Sequence, residues 1–210
     1  MSRRRSIRAY IGLGANLGDP ARTLATAVQA MDQLPRTVVR GVSRLYATTP
    51  WGVTEQPEFR NAVVGLDVDI GAQEPTDAAL ALLGRLKVLE RDAGRRQRRR
   101  WGPRELDLDL LIFGRERISV ERPPGARSID ADVDPAKAAK RLEVPHRDLG
   151  ERLFVLAPLA DLAPRLVPPG WSQTVGTRAS VVAAAEPPGS VRVAGTWDPI
   201  RRSWRRASSR

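Results

Sequence analysis

The 210-residue sequence has no cysteine and one histidine, His146. The lack of cysteine excludes disulfides, thiolate nucleophiles and thiolate zinc sites, and it agrees with a reducing compartment. A single histidine excludes zinc sites built from three histidines and weakens schemes that need a histidine base. No apolar run is long enough to span a membrane, and no signal-peptide core follows the basic N-terminus. We therefore predict a cytoplasmic protein without membrane association.

Lysine is also scarce, because 32 of the 35 basic residues are arginine. The net charge of +11 comes from three segments, residues 1–8, 95–104 and 198–210, which together carry +14 and leave −3 for the remainder. The basicity is therefore local. We interpret residues 1–7 and 169–210 as basic extensions, the second partly disordered, around one domain over residues 8–168.

The hydrophobic pattern predicts the element order β-α-β-β-α-β. Strands are predicted over residues 8–13, 37–46, 59–70 and 106–113, with helices capped by Asp19 and Thr76. This order is the ferredoxin-like plan, an α+β fold with a four-stranded antiparallel sheet and helices on one side. A last helix over residues 149–162 could cover the other side. Residues 119–140 are polar and are interpreted as an inserted excursion.

Two aspartates, Asp107 and Asp109, alternate with apolar residues in the last predicted strand. Side chains two apart on a strand share a face, with Cα atoms about 6.6 Å apart, so the pair could share hard cations. The preceding arginines are suited to phosphate oxygens: Arg95, Arg96, Arg98, Arg99, Arg100 and Arg104. A solvent-facing acidic row is the alternative, but the neighbouring arginines favour magnesium and polyphosphate transfer.

Other motifs limit how a nucleotide or heterocycle could bind. Gly12, Gly14 and Gly18 nearly match a dinucleotide fingerprint, but the third glycine is one place late, so a flexible strand-to-helix turn is the better interpretation. No Walker A motif is present. Asn61 shares a strand face with Phe59, and an amide beside an aromatic ring could bind the edge of a flat heterocycle. The alternative for Phe59 is an ordinary core residue.

Between Ala9 and Pro164 the chain resembles the 6-hydroxymethyl-7,8-dihydropterin pyrophosphokinases of folate biosynthesis. The resemblance rests on motifs that occur together and in this order: GLGANLGD over residues 12–19, YATTPWG over 46–52, QPEFRNA over 56–62, GR over 94–95, RWGPRELDLD over 100–109, VPH over 144–146 and RLFVLAPL over 152–159. The resemblance implies a three-layer α/β/α form of the ferredoxin-like fold, usually monomeric.

The resemblance also implies the reaction and its residues. The enzyme would transfer the β,γ-pyrophosphoryl group of ATP to the pterin hydroxymethyl oxygen, giving AMP and the pterin diphosphate. Asp107 and Asp109 would bind two Mg²⁺ ions, and Arg95 and Arg104 would stabilise the transferring group. Residues implied in ATP binding are Glu90, Arg100, Trp101, Arg104, Leu110, Arg141, His146 and Arg152. Those implied in pterin binding are Thr48, Pro50, Trp51, Gly52, Phe59, Asn61 and Phe154.

The chain departs from the family pattern in three places. Gln97 stands where an arginine is common, and Glu143 and Arg147 flank the Pro145–His146 pair where other residue types are usual. The excursion over residues 119–140 and the chain beyond Trp171 have no counterpart in the resemblance. Nucleotide contacts at these positions are therefore left open.

Two other classes of protein are alternatives to an active enzyme. A ferredoxin-like RNA-binding module would present two or three aromatic residues on its central strands for base stacking. Here the predicted strand presents Asp107 and Asp109, which repel phosphates unless metals intervene, so no nucleic-acid partner is expected. A catalytically inactive relative kept for protein contacts is the second alternative, but both metal carboxylates are present.

Overall fold

The computed structural model describes residues 5–50, 55–94, 102–127 and 141–207. Trp51, Gly52, Arg95, Arg100 and Trp101 lie outside these ranges. The elements are, in order, β1 (Ser6–Ala15), α1 (Pro20–Asp32), β2 (Thr37–Val42), β3 (Leu45–Thr48), β4 (Phe59–Asp69), α2 (Pro75–Asp92), β5 (Asp107–Phe113), β6 (Ile118–Glu121), β7 (Arg141–Val144), α3 (Leu153–Leu162), α4 (Val175–Ala185), β8 (Val191–Asp198) and β9 (Ser203–Arg206).

The main sheet has seven strands in the order β5-β1-β4-β3-β8-β9, with β2 also paired to β4. All of its described pairings are antiparallel. The long β4 pairs with β3 at its start and with β2 at its end, so the strand predicted over residues 37–46 is two strands. The predicted count of four strands is wrong because this division and the two C-terminal strands were not foreseen.

Apolar side chains form two clusters on opposite faces of the sheet. Successive side chains of β1 point to opposite faces, so Ile11 packs in one cluster and Tyr10 in the other. The first cluster takes its helical residues from α1 and α2, including Leu24 and Leu86. The second takes them from α3 and α4, including Leu156. Helices therefore cover both faces.

The helix boundaries follow local chemistry in part. The side chain of Asp19 accepts a hydrogen bond from the Arg22 amide at 3.1 Å, which confirms the predicted cap of α1. The predicted cap of α2 is wrong, because that helix begins at Pro75 and Glu74 makes no capping bond. Proline suits this first position, since it has no amide hydrogen to satisfy. Gly94 adopts a φ of 80° just after α2, as expected of a residue that ends a helix.

The prediction that residues 169–210 lie outside the core and are partly disordered is wrong as far as Ala207, the last described residue. Val175 and Ala179 of α4 are buried against α3, and β8 pairs along β3. The Trp204 indole NH donates to the Ser43 carbonyl at 2.9 Å. The strands of this segment were missed because their apolar alternation is weak, as the exposed Val193 of β8 illustrates.

Several arginines of this C-terminal segment are held by acids of the same chain. Arg202 pairs with Asp32 of α1 at 2.8 Å, and Arg205 pairs with Asp198 at 3.1 Å. Arg192 pairs with Glu58 at 2.6 Å. The basic end of the chain is therefore partly neutralised within the fold.

Two other predicted boundaries differ from those in the structure. Ser6 and Ile7, assigned to a basic N-terminal extension, belong to β1 and pair with Asp69 and Val68. The excursion predicted over residues 119–140 begins inside β6, which pairs with β7 as a two-stranded sheet. Residues 128–140 lie outside the described ranges. Within the described ranges, none of the helices combines the length and apolarity needed to cross a bilayer.

Candidate active site

Two glycines of β1 form the floor of the site. Gly12 pairs with Asp109 and Gly14 with Asp107 on β5, while on the other side Gly14 pairs with Asn61 on β4. Opposed residues in a sheet share a face, so Asn61, Gly14 and Asp107 form one row across three strands. A Cβ at position 14 would lie 3.1 Å from the Asn61 side-chain oxygen. The strand predicted over residues 8–13 therefore extends through Gly14, which had been assigned to the following turn. Its lack of a side chain leaves space between the Asn61 amide and Asp107.

This floor opens into a cavity of about 440 Å³. The site residues predicted from the sequence that line it are Thr48, Pro50, Phe59, Asn61, Arg104, Asp107, Asp109, His146, Arg152 and Phe154. One cavity thus brings together the predicted metal carboxylates, an arginine and the two aromatic residues assigned to the pterin. The Asn61 amide donates to the Thr48 hydroxyl at 2.7 Å, which fixes the orientation of the amide.

Arg104 is tied both to an aspartate and to the end of β1. Its guanidinium contacts the Asp107 carboxylate. The Arg104 backbone amide donates to the side-chain oxygen of Asn16 at 2.7 Å, and the Asn16 backbone amide donates to the Arg104 carbonyl at 3.0 Å. The Asn16 side chain also donates to the Gln56 side chain at 3.1 Å and to the Pro57 carbonyl at 3.0 Å. Buried Asn16 therefore joins the arginine to the segment that precedes β4.

Glu90 and Lys87 lie beneath the aspartate strand, on its α2 side. The Glu90 carboxylate accepts the Lys87 ammonium at 2.6 Å and the Leu108 amide at 2.7 Å, and Lys87 also donates to the Leu108 carbonyl at 2.8 Å. Both side chains are nearly fully buried. Glu90 was predicted to contact the nucleotide. In the structure its carboxylate accepts a hydrogen bond from the backbone amide of Leu108, the residue between the two aspartates.

Arg122, which the sequence analysis did not identify, lies near the same acids. It is 7 % exposed, and its Nε donates to the Arg141 carbonyl at 2.9 Å. Burial lowers the pKa of Arg122, whereas the negative charges of Asp109 and Glu90 oppose that shift. No sequence pattern singled it out, because its position depends on the pairing of β6 with β7.

The remaining predicted nucleotide residues are more dispersed. Leu110 is buried in the cluster on the α1 and α2 side, and its neighbour Leu111 lines the cavity instead. Arg141 is exposed at the start of β7, where it donates to the Ser119 carbonyl at 2.7 Å. His146 lines both this cavity and a neighbouring one of about 620 Å³, to which Glu143 and Arg147 also contribute.

Arg152 and Phe154 stand at the start of α3. The Arg152 guanidinium pairs with Asp148 at 2.6 Å and lies 5.9 Å from the centre of the Phe154 ring. This spacing is within the range of a cation–π contact. The arrangement places a cation next to one of the two aromatic rings that face the cavity.

A segment that the sequence analysis missed forms another wall. Residues 186–191, which connect α4 to β8, line the same cavity. No motif marked this segment, because it reaches the site only through the pairing of β8 with β3. Its composition of prolines, glycine and serine is that of an ordinary turn.

The aspartates suit a hard divalent cation. Within the described ranges, no group of three or more histidine, cysteine or acidic side chains could hold a metal. Two carboxylates on one face, beside a floor of glycines, fit Mg²⁺, which commonly takes one or two carboxylates and completes its shell with water and phosphate oxygens. The donor set therefore fits magnesium that is bound together with a polyphosphate.

Comparison with known proteins identifies a family. The family model for 7,8-dihydro-6-hydroxymethylpterin-pyrophosphokinase (HPPK) matches residues 10–164. A 2-amino-4-hydroxy-6-hydroxymethyldihydropteridine pyrophosphokinase of Pseudomonas aeruginosa is 39% identical over 159 residues, covering 76% of this chain and 82% of that protein. A protein of the same description from Methylorubrum extorquens is 38% identical over 160 residues, covering 76% of this chain and 85% of that protein.

Solved structures show a similar fold. A crystal structure of an HPPK-DHPS in complex with substrates gives a TM-score of 0.69 at 12% identity, covering 96% of this chain and 49% of that one. Wild-type Plasmodium falciparum HPPK-DHPS with pterin and p-hydroxybenzoate gives a TM-score of 0.65 at 13% identity, with 92% and 46% covered. The chain thus spans slightly less than half of each of these structures, and at this identity they show the fold alone.

Proposed function

The chain belongs to the 7,8-dihydro-6-hydroxymethylpterin pyrophosphokinase family and is a pyrophosphokinase of folate biosynthesis, and from that premise we propose how its residues divide the reaction. The substrates of the family are ATP and 6-hydroxymethyl-7,8-dihydropterin. The pterin hydroxymethyl oxygen attacks the β-phosphorus of ATP while the bond from that phosphorus to the α,β-bridging oxygen breaks. AMP leaves, and the alcohol proton is lost to solvent.

Arg104 neutralises charge at the transferring group. It lies beside Asp107 in the cavity, where its guanidinium can exchange that contact for phosphate oxygens. Arg152 and His146 line the same cavity and are assigned to the ATP phosphates and nucleoside. Arg95, Arg100 and Trp101 lie outside the described residues, and their roles stay predictions from the motif. Glu90, Leu110 and Arg141 are kept as predicted nucleotide residues only through the resemblance.

Asp107 and Asp109 would hold two magnesium ions. When bound, magnesium would neutralise negative charge on the phosphate groups and would favour loss of the proton from the attacking alcohol. The two aspartates present carboxylate oxygens on one face, and Gly14 adds no side chain to the floor between Asp107 and Asn61. The hydrogen bonds of Glu90 and Lys87 to Leu108 fix the strand that carries both carboxylates.

The pterin is assigned to the end of the cavity that holds the aromatic residues. Phe59 and Phe154 supply the faces for a flat ring, and Asn61 supplies an amide for its hydrogen-bonding edge. Thr48 orients that amide, and Pro50 lines the same wall. Trp51 and Gly52 are assigned to this end by the motif alone. Holding the ring still places the hydroxymethyl oxygen in line with the scissile bond, which is a positioning requirement.

One observation carries this assignment: both aspartates, Arg104, Asn61 and the aromatic pair line a single cavity. Incubating the protein with Mg²⁺, ATP and hydroxymethyldihydropterin, then separating the products by chromatography, tests it. Equal amounts of AMP and pterin diphosphate are expected. Pterin-dependent ADP as the main product would overturn attack at the β-phosphorus. The absence of any pterin-dependent nucleotide would overturn the function itself.

We also propose the fold plan, the oligomeric state and the location of the enzyme from its sequence. The element order supports assigning β1 to β5 and their helices to the ferredoxin-like plan, with a monomer as the expected state. A cytoplasmic location is likewise a proposal from the composition. Sedimentation equilibrium of the purified protein measures its mass in solution and so tests the expected monomeric state.

A further inference from the structure

The C-terminal segment that lines the site lies beyond the family match, which ends at residue 164. Residues 186–191 face the same cavity as Thr48, Phe59 and Asn61. The turn is held internally, since the Ser190 hydroxyl donates to the Glu186 carboxylate at 2.7 Å and the Ser190 amide donates to the Pro187 carbonyl at 3.1 Å. The segment is therefore an ordered addition to the part of the site assigned to the pterin.

Backbone pairing connects this segment to the pterin residues. Val191 pairs with Thr48, and the Thr49 amide donates to the Ser190 carbonyl at 3.1 Å. Thr48 in turn pairs with Phe59 on β4 and accepts the Asn61 amide. A displacement of β8 would thus be passed on to both the ring-stacking residue and the amide.

A side-chain contact fixes the same geometry from the β4 side. Arg192, paired with Ala47 on β3, reaches Glu58 through both terminal nitrogens, at 2.6 Å and 2.8 Å. Glu58 directly precedes Phe59. The hydrogen bonds from Arg192 hold the pKa of the Glu58 carboxyl below its usual value. A bidentate pair of this kind restricts orientation as well as distance.

We propose that Arg192, acting through Glu58, is a positioning residue for the pterin end of the active site, and that the C-terminal segment supplies this support. The inference rests on the proposed function for the identity of the substrate. Holding Phe59 and Thr48 in place before the pterin arrives removes an ordering cost from pterin binding. The aspartates assigned to the phosphates lie on β5, which β1, β4 and β3 separate from β8 in the main sheet. We therefore expect ATP binding and the chemical step to be unaffected.

The test compares R192Q with R206Q in the full-length protein. Arg206 is an exposed arginine on β9 of the same segment, so its replacement makes the same charge change away from the cavity. R192Q is expected to raise KM for the pterin by about fivefold to tenfold while leaving KM for ATP and kcat within about twofold. R206Q should match the wild type. R192K, which keeps the charge but loses the bidentate geometry, should fall in between.

The pairing itself is tested by E58Q and by the double variant E58Q/R192Q. If the two residues act together, the double variant raises KM for the pterin no more than R192Q does alone. The proposal would be overturned if the effects of the two variants on KM were additive, or if R192Q had no larger effect than R206Q. It would also be overturned if R192Q lowered kcat and raised both KM values by similar factors. Thermal melting of each variant separates positioning from loss of fold.

Failure of the proposed function would be seen separately, because the wild-type protein would then release no pterin-dependent AMP. In that case equilibrium dialysis with the pterin decides the inference. Weaker binding by R192Q than by wild type and R206Q supports it. Equal binding by all three proteins, or no binding by the wild type, overturns it.

Discussion

Glu90 on α2 accepts a hydrogen bond at 2.7 Å from the amide of Leu108, the residue between the two site aspartates. The Lys87 ammonium bonds both to Glu90 and to the Leu108 carbonyl. The aspartates face one side of the sheet, and this buried pair anchors their backbone from the other. The geometry of the carboxylates therefore depends on residues that do not line the cavity.

Replacing Lys87 with methionine is expected to destabilise the fold severely. The change leaves the Glu90 carboxylate buried without its cation, which typically costs about 3–5 kcal/mol. Urea unfolding, followed by circular dichroism, measures the loss. Arg91→Met, on the exposed end of the same helix, is the matched control and should cost less than about 1 kcal/mol. Equal destabilisation by the two variants would contradict the role of the buried pair.

Asp107→Asn and Asp109→Asn are each expected to fold normally and to lose nearly all turnover. An amide is a poorer ligand than a carboxylate for magnesium, so the developing phosphate charge would lose its stabilisation, a reduction in kcat of at least about a hundredfold. Steady-state kinetics over a range of magnesium concentrations measures the effect. Near wild-type turnover at saturating magnesium would remove these residues from the metal site.

Asn16→Ala is expected to lower both stability and kcat. The side chain is 2 % exposed and bonds to the Arg104 amide, the Gln56 side chain and the Pro57 carbonyl. Removing it takes one hydrogen bond from each of these groups, and a lost bond of this kind typically costs about 0.5–1.5 kcal/mol. The Arg104 amide loses its acceptor, whereas the Arg104 carbonyl keeps the bond from the backbone amide of residue 16. Because Arg104 is then held less firmly, kcat should fall more than KM for the pterin rises. A variant that is destabilised but kinetically unchanged would limit Asn16 to a structural role.

Stability should fall in acid partly through Asp67. Hydrogen bonds from Arg8 and Arg40 lower the pKa of the Asp67 carboxyl. Since the unfolded carboxyl has the higher pKa, about 3.9, the unfolded chain binds more protons in acid. The stabilisation that Asp67 provides is therefore fully present above the pKa of the unfolded carboxyl. It is lost as the pH falls through the lower pKa of the folded carboxyl.

Urea unfolding of wild type and Asp67→Asn at pH 6 and at pH 3 measures this contribution. The difference in unfolding free energy between the two proteins should shrink at the lower pH. Asp92→Asn, which removes an exposed carboxylate at the end of α2, is the control for net charge. A difference that stays constant with pH would show that Asp67 contributes nothing through its ion pairs.

The core of the fold was predictable because its local patterns are strong. The apolar alternation of β4 and β5 and the cap at Asp19 predicted their elements correctly. The aspartate pair was also visible, since a strand places residues two apart on one face. Gly14 was misassigned to a turn, because glycine favours turns by itself and only strand pairing shows that this position borders the cavity.

The rest depended on contacts between distant parts of the chain. Arg122 and Lys87 come near the site only through the pairing of β6 with β7 and the packing of α2 on β5, and neither lies in a recognisable motif. The C-terminal strands were missed for a different reason. Their alternation is weak, so their place in the sheet follows from the pairing of β8 with β3 and of β9 with β8 rather than from local propensity.

The short last strand has a consequence for how the protein behaves at high concentration. β9 forms one border of the main sheet, and it has only four residues, of which Arg205 and Arg206 are exposed. A brief border bearing positive charge is a poor template for another chain. Behind it, all four residues of β3 are buried. Without β8 and β9, that apolar strand would present open hydrogen-bonding groups to solvent, so the arginine-rich end protects the sheet from self-association.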